Sequence, residues 1–301
     1  MTARHLVCRA DEAEFAEPDK YRGHAVGFRT WSAVDERTAV HSDFGVRELE
    51  PDGRIDWHVH SYEESFYVQS GEVLLQTDDG AFRLQPGDYG VISVGARHAW
   101  RGSGGSVARW AEMSAPQSRA AREDTFFVPD PVVAKQVLEI DPRDPRTRSF
   151  GHISPANMEA ARQSQDQLAL SASMRTALLV YSGITVKMMV DSDLGAELLT
   201  MFMVQYQPDG MAGAHDHPLE ESYLILEGEV DAVFDGQTYR LRAGDLGWAG
   251  VGCMHEFSNP GPGIVRWLET QAPQPPGRHS YRFARDWTYL RSRLDGDGPR
   301  A

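Results

Sequence analysis

The chain has 301 residues, a net charge of −14 and a hydrophobic content of 41%, which are values typical of a folded globular protein with one large or two ordinary domains. The acidic balance argues against a nucleic-acid partner, because binding a phosphate backbone needs clustered Lys and Arg. No apolar run approaches the roughly 20 residues that cross a bilayer, and the amino-terminal segment lacks the apolar core of a signal peptide, so we expect no membrane partner. Cys8 and Cys253 are too few for a disulfide framework, which makes a cytoplasmic protein the expectation.

The first cluster of metal-capable side chains lies in HVHSYEESFYVQSGEV, residues 58–73. His58 and His60 are two residues apart, so both project to one face of a strand. After a tight turn, Glu64 can return to that face from the next strand. Imidazole and carboxylate groups are good ligands for Mn, Fe, Co, Ni, Cu or Zn. Glu63 has the opposite parity, and we expect it and its counterpart Glu220 to face away and to be solvated or paired.

Short strands and turns continue the first half. The segment GEVLLQTDDGAFRL, residues 71–84, predicts a β-hairpin that turns at Asp-Asp-Gly. His98 follows a glycine-containing turn and can supply a fourth ligand. Arg109, Trp110 and Glu112 lie on the predicted last strand, where a cross-strand ion pair with a packed Trp is preferred to a role in lining the site.

Between the two halves the composition shifts to Pro and charged residues, in DPVVAKQVLEIDPRDPRTRSFG and SPANMEAARQSQDQLALS. These segments predict a linker with short helices. Near the carboxyl end, HSYRFARDWTYLRSRL predicts a terminal helix or arm. We accordingly predict an N-terminal domain over residues 1–145 and a C-terminal domain over residues 146–301.

The second half repeats the first at a constant spacing of 157 residues. A register without gaps over so many positions indicates an internal duplication, with a core in each copy. Many short strands with regular turn signals favour an all-β sandwich or barrel of the jelly-roll kind. The repeat includes the metal-capable residues: His58, His60, Glu64 and His98 correspond to His215, His217, Glu221 and His255.

This pattern resembles the two conserved motifs of the cupin superfamily. The departures affect turns and not ligands: the first Gly lies one residue closer to the HxH pair, the usual Pro of the second motif is replaced, and its Asn is kept only in the second copy. The first motif reads Gly53, His58, His60, Glu64, Gly71 and then Gly210, His215, His217, Glu221, Gly228. The second reads Gly87, Ser93, Gly95, His98, Gly102 and then Gly244, Gly250, Gly252, His255, Asn259.

The resemblance implies a bicupin, an all-β protein of two tandem jelly-roll barrels with a few short helices in the linker and carboxyl terminus. It also implies three His and one Glu around a divalent transition metal in each barrel, giving two sites per chain. Fe or Mn is favoured, with Ni, Cu, Co and Zn as alternatives. The Cys253 thiolate is a further candidate ligand, but its counterpart in the first copy is Ala96, which favours a small packed residue.

Fold does not fix the reaction, because cupins include dioxygenases, decarboxylases, isomerases and metal-free binders. Four protein ligands leave one or two positions on a six-coordinate metal for O2, water or a bidentate substrate. Glu64 and Glu221 are the catalytic candidates, since each is expected to be a mobile ligand that can accept a substrate proton. No further cofactor is expected.

Two features bear on the substrate. Oxalate decarboxylase-like bicupins carry an Arg near the HxH pair, but the candidate here, Arg54, is replaced by Met211 in the second copy. The run LLTMFMVQYQPDGMAGAH, residues 198–215, predicts either an apolar pocket or ordinary barrel core. Trp57, Tyr62, Phe66 and Trp100 leave the same two alternatives for the first copy.

We therefore expect a dioxygenase that uses O2 on a small organic substrate of aromatic, enol or diketone type. The first alternative is a non-redox hydrolase, lyase or isomerase, resembling ureidoglycine aminohydrolase or a decarboxylase. The second is a non-enzymatic bicupin that binds a small molecule, which the complete ligand sets in both copies disfavour. A homo-oligomer is compatible with the sequence.

Overall fold

The computed structural model describes residues 4–119, 123–131, 136–141, 143–159, 183–274 and 282–283. Within these ranges the chain is built of β-strands and turns, as the all-β prediction required, with short 3₁₀ helices at Ala10–Glu12, Asp19–Tyr21, Pro145–Thr147 and Pro155–Met158. None of the helices in this part of the chain is long and apolar enough to cross a membrane. The rest of the predicted second linker helix and almost all of the terminal helix or arm lie outside the described residues.

The first barrel is one sheet of eleven strands with the order β11-β6-β5-β8-β3-β9-β4-β7-β12, in which β2 and β10 pair with β3. Its strands are β2 (Ala25–Val34), β3 (Asp43–His60), β4 (Glu63–Ser70), β5 (Val73–Thr77), β6 (Gly80–Leu84), β7 (Asp88–Ile92), β8 (His98–Gly102), β9 (Ala108–Ala115), β10 (Thr125–Phe127), β11 (Val137–Glu139) and β12 (Phe150–His152). The hairpin β5–β6 is the one predicted from residues 71–84.

The second barrel consists of two sheets, with the orders β1-β19-β16-β21-β14-β13 and β18-β17-β20-β15-β22. Its strands are β1 (His5–Cys8), β13 (Ile184–Val190), β14 (Thr200–Tyr206), β15 (Met211–Asp216), β16 (Glu220–Glu227), β17 (Glu229–Phe234), β18 (Gln237–Arg242), β19 (Leu246–Ala249), β20 (His255–Ser258), β21 (Val265–Ala272) and β22 (Arg282–Phe283). Strand β1 is the exception in this set, because it comes from the other end of the chain.

The two halves exchange strands reciprocally. Strand β1 precedes the first copy but pairs antiparallel with β19 of the second. Strand β12 precedes the second copy but pairs antiparallel with β7 of the first. The acceptor strands are equivalent under the 157-residue repeat. Each exchanged strand thus lies on one side of the predicted boundary between residues 145 and 146 and pairs with a strand on the other side. The domain boundary itself remains a prediction.

Two aspartates at equivalent positions form hydrogen bonds with residues in or next to the exchanged strands. Asp88 in the first barrel accepts from Nδ1 of His152 at 2.8 Å. Its counterpart Asp245 accepts from the Arg9 guanidinium at 2.7 Å and from the backbone N–H of Ala10 at 2.9 Å. Both aspartates are buried, so their hydrogen bonds compensate the cost of removing a carboxylate from water.

Apolar side chains form three buried clusters. One fills each barrel, around the stacked Trp100 and Trp110 in the first and around Trp267 in the second. The third cluster joins residues of both halves and forms an apolar interface between the barrels. It includes Val46, Ala111 and Met113 of the first half and Met201, Met203, Leu224 and Leu268 of the second.

The methionine-rich run before the second HxH pair belongs to these cores. Met201 and Met203 lie in the interface cluster, whereas Phe202 and Tyr206 point into the second barrel. Successive residues of a strand face opposite sides, so the run serves both cores at once. Of the two alternatives that the sequence left open, the structure therefore favours ordinary core over an apolar pocket.

The motif glycines Gly71 and Gly228 turn the chain after equivalent strands, with φ of 72° and 77°. A Cβ at either position would lie 2.4 Å from a backbone oxygen, that of Val107 or of Ile264. Only Gly combines this backbone conformation with so close an approach.

Candidate metal centres

The first barrel brings His58, His60 and His98 together. His58 lies directly opposite His98 on neighbouring strands, after a β-bulge that follows Ile55. One potential ligand atom from each of the three imidazoles lies within 4.8 Å of the others. Glu64 returns on β4, as the turn predicted, and its Oε2 lies 3.2 Å from Nε2 of His60 and 3.9 Å from Nε2 of His98.

The second barrel repeats this arrangement. His215 lies opposite His255 after an equivalent bulge, and with His217 they form a second group whose ligand atoms lie within 4.8 Å of one another. Oε2 of Glu221 is 2.8 Å from Nε2 of His217 and 3.4 Å from Nε2 of His255. All eight side chains are buried.

Hydrogen bonds at Nδ1 orient the imidazoles. In five of the six, Nδ1 lies 2.7–3.0 Å from a backbone carbonyl oxygen, whereas in His60 it lies 3.1 Å from the hydroxyl of Thr125. A carbonyl can only accept, so Nδ1 carries a proton and Nε2 is the nitrogen that faces the glutamate and can bind a metal ion. Outer hydrogen bonds of this kind fix the tautomer of metal-binding histidines.

The residues fit a divalent metal ion. Nε2 of His98 and Oε1 of Glu64 are buried without a hydrogen-bond partner among the described residues, and unpaired buried polar atoms are costly unless a ligand satisfies them. Burial lowers the pKa of His98 to about 4. Burial, with a contribution from His255, lowers the pKa of His215 to about 3. Both imidazoles are therefore neutral near pH 7, as metal ligation requires.

The two glutamates differ in their surroundings. Burial, reinforced by the charge of Glu112, raises the pKa of Glu64 well above its usual value. Burial opposes ionisation of Glu221 as well, but His217 and His255 outweigh it and hold the pKa of this carboxyl well below its usual value. Glu221 also accepts from the hydroxyl of Tyr223 and the amide of Gln271. The corresponding residues of the first barrel are Phe66 and Ser114, so Glu64 lacks both donors.

A buried ion pair distinguishes the first barrel further. Nε of Arg47 donates to Glu112 at 3.0 Å, and Nε1 of Trp110 donates to the other oxygen of Glu112 at 3.2 Å. The equivalent Trp267 donates to Glu269 at 2.9 Å, but Val204 stands where the first barrel has Arg47. Burial, with the nearby charge of Glu221, raises the pKa of Glu269 well above its usual value.

A cavity of about 830 Å³ lies beside the first centre. Tyr21, Thr125 and Phe127 line it and also contact the centre: the rings of Tyr21 and Phe127 each lie 5.7 Å from that of His58. Its remaining lining carries both signs of charge, with Lys20, Arg47 and Arg119 against Asp19, Asp35, Glu36, Asp43, Glu123 and Asp124.

Lys20 and Tyr62 connect the cavity to the histidines. The ammonium group of Lys20 donates to the Tyr62 hydroxyl at 3.2 Å, and this hydroxyl lies 3.5 Å from Nε2 of His60. The Tyr62 ring stacks on His60 with centroids 4.2 Å apart. The Lys20 side chain is 39% exposed, so it lies at the cavity mouth.

Three other candidates lie apart from the histidines. Arg54 is about half exposed and pairs with Asp56 at 3.1 Å. Arg109 pairs across strands with Glu48, which confirms the cross-strand ion pair preferred from the sequence. The Cys253 thiol lies 3.8 Å from the carbonyl oxygen of Met254 and groups with His5 instead of the three histidines of the second barrel.

Glu63 and Glu220 are buried rather than solvated. Glu63 accepts from the backbone N–H groups of Glu197, Leu198 and Leu199 at 2.8–3.2 Å. Glu220 accepts from the backbone of Val40 and His41 at 2.8 and 3.0 Å, and from the hydroxyl of Ser42 at 3.4 Å. The expected pairing therefore exists, and its partners, which are backbone N–H groups and the Ser42 hydroxyl, lie in the opposite half.

Sequence patterns did not identify Arg47 or Lys20 as residues near the first metal centre. Arg47 lies eleven residues before His58 in the sequence, and the bulge after Ile55 changes which residues of β3 face inward. Its placement beside the centre could not be read from simple alternation. Lys20 reaches the centre from the segment before the barrel, which carries no motif.

The family model described as a cupin domain matches residues 45–114 and 202–270, the cores of both halves. The two matches, the jelly-roll barrels and the paired clusters of three histidines place this chain in the cupin superfamily, as a bicupin.

A search of curated proteins finds 37% identity over 76 residues to the helix-turn-helix-type transcriptional regulator PuuR of Escherichia coli and, equally, of Shigella flexneri. The match covers 25% of this chain and 41% of the regulator, so the chain spans less than half the length of these relatives.

Solved bicupins share the fold along most of the chain. Salicylate 1,2-dioxygenase from Pseudoaminobacter salicylatoxidans with gentisate superposes with a TM-score of 0.68 at 13% identity, covering 90% of this chain and 81% of the other. A variant of oxalate decarboxylase from Bacillus subtilis gives 0.66 at 14% identity, over 98% and 85%. The oxalate decarboxylase of Lactobacillus farciminis with formate gives 0.62 at 14% identity, over 95% and 92%. At these identities the likeness shows the fold.

Proposed function

We propose that this bicupin is a metal-dependent dioxygenase that uses O2 on a small organic substrate of aromatic, enol or diketone type, with the reaction in the first barrel. The observation that carries the proposal is the contrast between the two glutamates. Glu64 keeps an unpaired buried oxygen in the barrel that adjoins the large cavity, whereas Glu221 accepts hydrogen bonds at both oxygens. A general base must be free to take a proton, which favours Glu64.

The metal ligands in this proposal are His58, His60, His98 and Glu64 in the first barrel and His215, His217, His255 and Glu221 in the second. A bound Fe or Mn ion would supply redox chemistry and open positions for O2 or substrate. The second centre, with its more completely hydrogen-bonded glutamate, would then serve mainly to stabilise its barrel.

The residues around the first centre can each act on a bound hydroxyl compound. Glu64 would take the proton of a phenol or enol hydroxyl, a step typically worth about 10²–10⁴ in rate. The Lys20 ammonium, which already donates to Tyr62, would stabilise the negative charge that develops on the substrate oxygen. Tyr21 and Phe127 would contact the apolar part of the substrate and exclude water.

A lyase that needs no change in metal oxidation state is the second candidate. One observation favours it: the oxalate decarboxylases match the fold about as well as the dioxygenase does. A non-enzymatic binder would show no turnover with either substrate type.

The test is metal analysis of the purified chain, followed by measurement of O2 consumption with catechols, flavonols and diketones, and of CO2 release from small dicarboxylates. Lys20→Gln is expected to lower kcat/KM at least about tenfold, because a charge-assisted hydrogen bond is worth roughly 1.5–3 kcal/mol. Arg22→Gln is the matched control, since Arg22 is 83% exposed and pairs only locally with Asp19. O2-independent CO2 release would replace the dioxygenase by the lyase.

A further inference from the structure

A third group of potential metal ligands lies outside both three-histidine centres. One ligand atom each from His5, Asp235 and Cys253 lies within 4.8 Å of the others. His5 comes from the exchanged strand β1, whereas Asp235 and Cys253 belong to the second barrel. Cys253 is 1% exposed, and the other two are partly accessible. The cluster therefore joins the exchanged strand β1 to the second barrel. Because His5 and Asp235 are partly accessible, the cluster can be reached from solvent.

The hydrogen bonds of His5 leave one nitrogen for a ligand. Its Nε2 lies 3.0 Å from the hydroxyl of Tyr239, and this hydroxyl donates its proton to Gln237 at 2.8 Å. The Tyr239 oxygen therefore accepts from Nε2–H, and the lone pair of His5 is on Nδ1. That atom is buried and has no hydrogen-bond partner among the described residues. Histidines that bind a metal ion usually have this arrangement, with the other ring N–H donated to a fixed acceptor.

Asp235 and Cys253 complement that nitrogen. The carboxylate accepts two bonds from the Arg4 guanidinium, at 2.8 and 2.9 Å, and one from the backbone N–H of Met254 at 3.1 Å. A carboxylate has about four acceptor positions, so one remains. The Cys253 thiol interacts with this carboxylate and makes a long hydrogen bond, 3.8 Å, to the carbonyl oxygen of Met254.

We propose that His5, Asp235 and Cys253 form a separate site for a thiophilic divalent ion of the Zn²⁺ class, which pins strand β1 to the second barrel. Sulfur, nitrogen and oxygen ligands at bonds of roughly 2.0–2.3 Å are those of tetrahedral zinc, with water in the fourth position. Such bonds place ligand atoms roughly 3.3–3.8 Å apart, which falls inside the 4.8 Å within which these atoms already lie. Binding releases the thiol proton to solvent.

The first barrel does not repeat this site. Asp78 corresponds to Asp235 and pairs with Arg97 of its own barrel at 2.9 Å, but Ala96 stands at the position of Cys253. In the second barrel Met254 takes the place of Arg97, and Arg4, which directly precedes the exchanged strand, pairs with the aspartate instead. The thiol therefore belongs to the half that receives the amino-terminal strand.

Cobalt titration of the full-length, metal-depleted chain tests the proposal. Neither three-histidine centre contains sulfur, so a thiolate-to-cobalt charge-transfer band in the near ultraviolet reports the third site alone. The band is expected in the wild type, lost in Cys253→Ala and lost or greatly weakened in His5→Ala. It should persist in Cys8→Ala, the matched control for the other cysteine, and in His58→Ala/His60→Ala, which disables the first centre.

Several results would overturn the proposal. One is the absence of the band from cobalt-saturated wild type, and another is a band that Cys8→Ala abolishes and Cys253→Ala leaves intact. Cys253 lies two residues before His255, so Cys253→Ala could disturb the second centre. His5→Ala is the second variant, because it leaves the sequence from Cys253 to His255 unchanged. An unchanged band in His5→Ala also counts against the site.

Discussion

Glu63 and Glu220 occupy equivalent positions, and each binds the same loop of the opposite half. Glu63 accepts from the backbone of residues 197–199, and Glu220 from residues 40–42, which are their counterparts under the repeat. Each glutamate immediately precedes a glutamate of a histidine centre. Each half therefore contacts the other through a residue that is the immediate chain neighbour of a glutamate in a candidate metal site.

The first prediction concerns this contact. Glu63→Gln keeps one acceptor oxygen where three backbone N–H groups converge, and an unsatisfied buried donor costs about 1–3 kcal/mol. We expect the free energy of unfolding, measured by denaturant titration, to fall by that amount, and the same for Glu220→Gln. Glu17→Gln, at an exposed position, should change nothing. Losses no larger than this control would show that the buried carboxylates do not hold the halves together.

The second prediction concerns metal content. Mn²⁺ prefers nitrogen and oxygen ligands and has little affinity for thiolates, so saturation should load the two three-histidine centres of the chain and not the cysteine site. His58→Ala/His60→Ala should remove one Mn²⁺ and leave the other, as measured by elemental analysis. A wild-type content near one, abolished by His215→Ala/His217→Ala alone, would mean that the first centre does not bind metal.

The third prediction separates redox from Lewis-acid chemistry. Zn²⁺ has no redox chemistry, so chain loaded with Zn²⁺ should bind substrate but consume no O2. Reloading with Fe²⁺ or Mn²⁺ should restore O2 consumption. Turnover by the Zn²⁺ form under anaerobic conditions would assign the protein to the hydrolases, lyases or isomerases.

The fourth prediction distinguishes the two glutamates. Glu64→Gln should keep most of its metal, since three imidazoles can hold a divalent ion, yet lower turnover by about 10²–10⁴, the usual value of a general base. Glu221→Gln should affect turnover much less, because Tyr223 and Gln271 already donate to this carboxylate. Partial and equal losses in the two variants, measured as kcat, would show that both barrels turn over, and a loss confined to Glu221→Gln would show that only the second one does.

The fifth prediction concerns acid stability without metal. Burial lowers the pKa of His98 from 6.5 to about 4, and burial together with His255 lowers that of His215 from 6.5 to about 3. Above pH 6.5 neither state of the protein binds these protons. Below it the unfolded chain takes them up first, so the free energy of unfolding falls as the pH drops toward 4, by up to about 1.4 kcal/mol per pKa unit and residue.

Denaturant titrations in chelator between about pH 7 and about pH 4.5 measure this slope. His98→Asn should flatten it, because one of the proton-binding groups is gone. A stability that does not change over this range would contradict the burial of neutral imidazoles.

The ligand geometry could be predicted because it depends on local spacing. Two residues of one strand, a tight turn and the next strand determine where His58, His60 and Glu64 meet, and the repeat confirms the register. The sequence could not predict which distant segments of the chain pair with one another. Nothing in the four residues of β1 indicates that they pair with Leu246–Ala249, since strand pairing between distant segments depends on packing that alternation alone does not encode.

The same limit applies to charge. Strand parity predicted that Glu63 faces away from the histidines, but its buried partners are backbone N–H groups of the other half, which no side-chain pattern records. Arg47 was missed because a bulge shifts the inward face of β3 between it and His58. Parity was therefore right for Glu63, whose partners come from elsewhere in the chain, and failed for Arg47, because the bulge interrupts the alternation of its own strand.

The exchange of β1 and β12 has the form of a strand swap between two single-barrel subunits. In a homodimer of single-barrel subunits, each subunit could lend its leading strand to its neighbour, with the pairing of β1 on β19 and of β12 on β7 as the two symmetric halves of one interface. Fusing two such genes in tandem would need only a connection from the end of one barrel to the leading strand of the next. The bicupin would then be a swapped dimer made continuous, in which a gene duplication preserved an assembly that already existed.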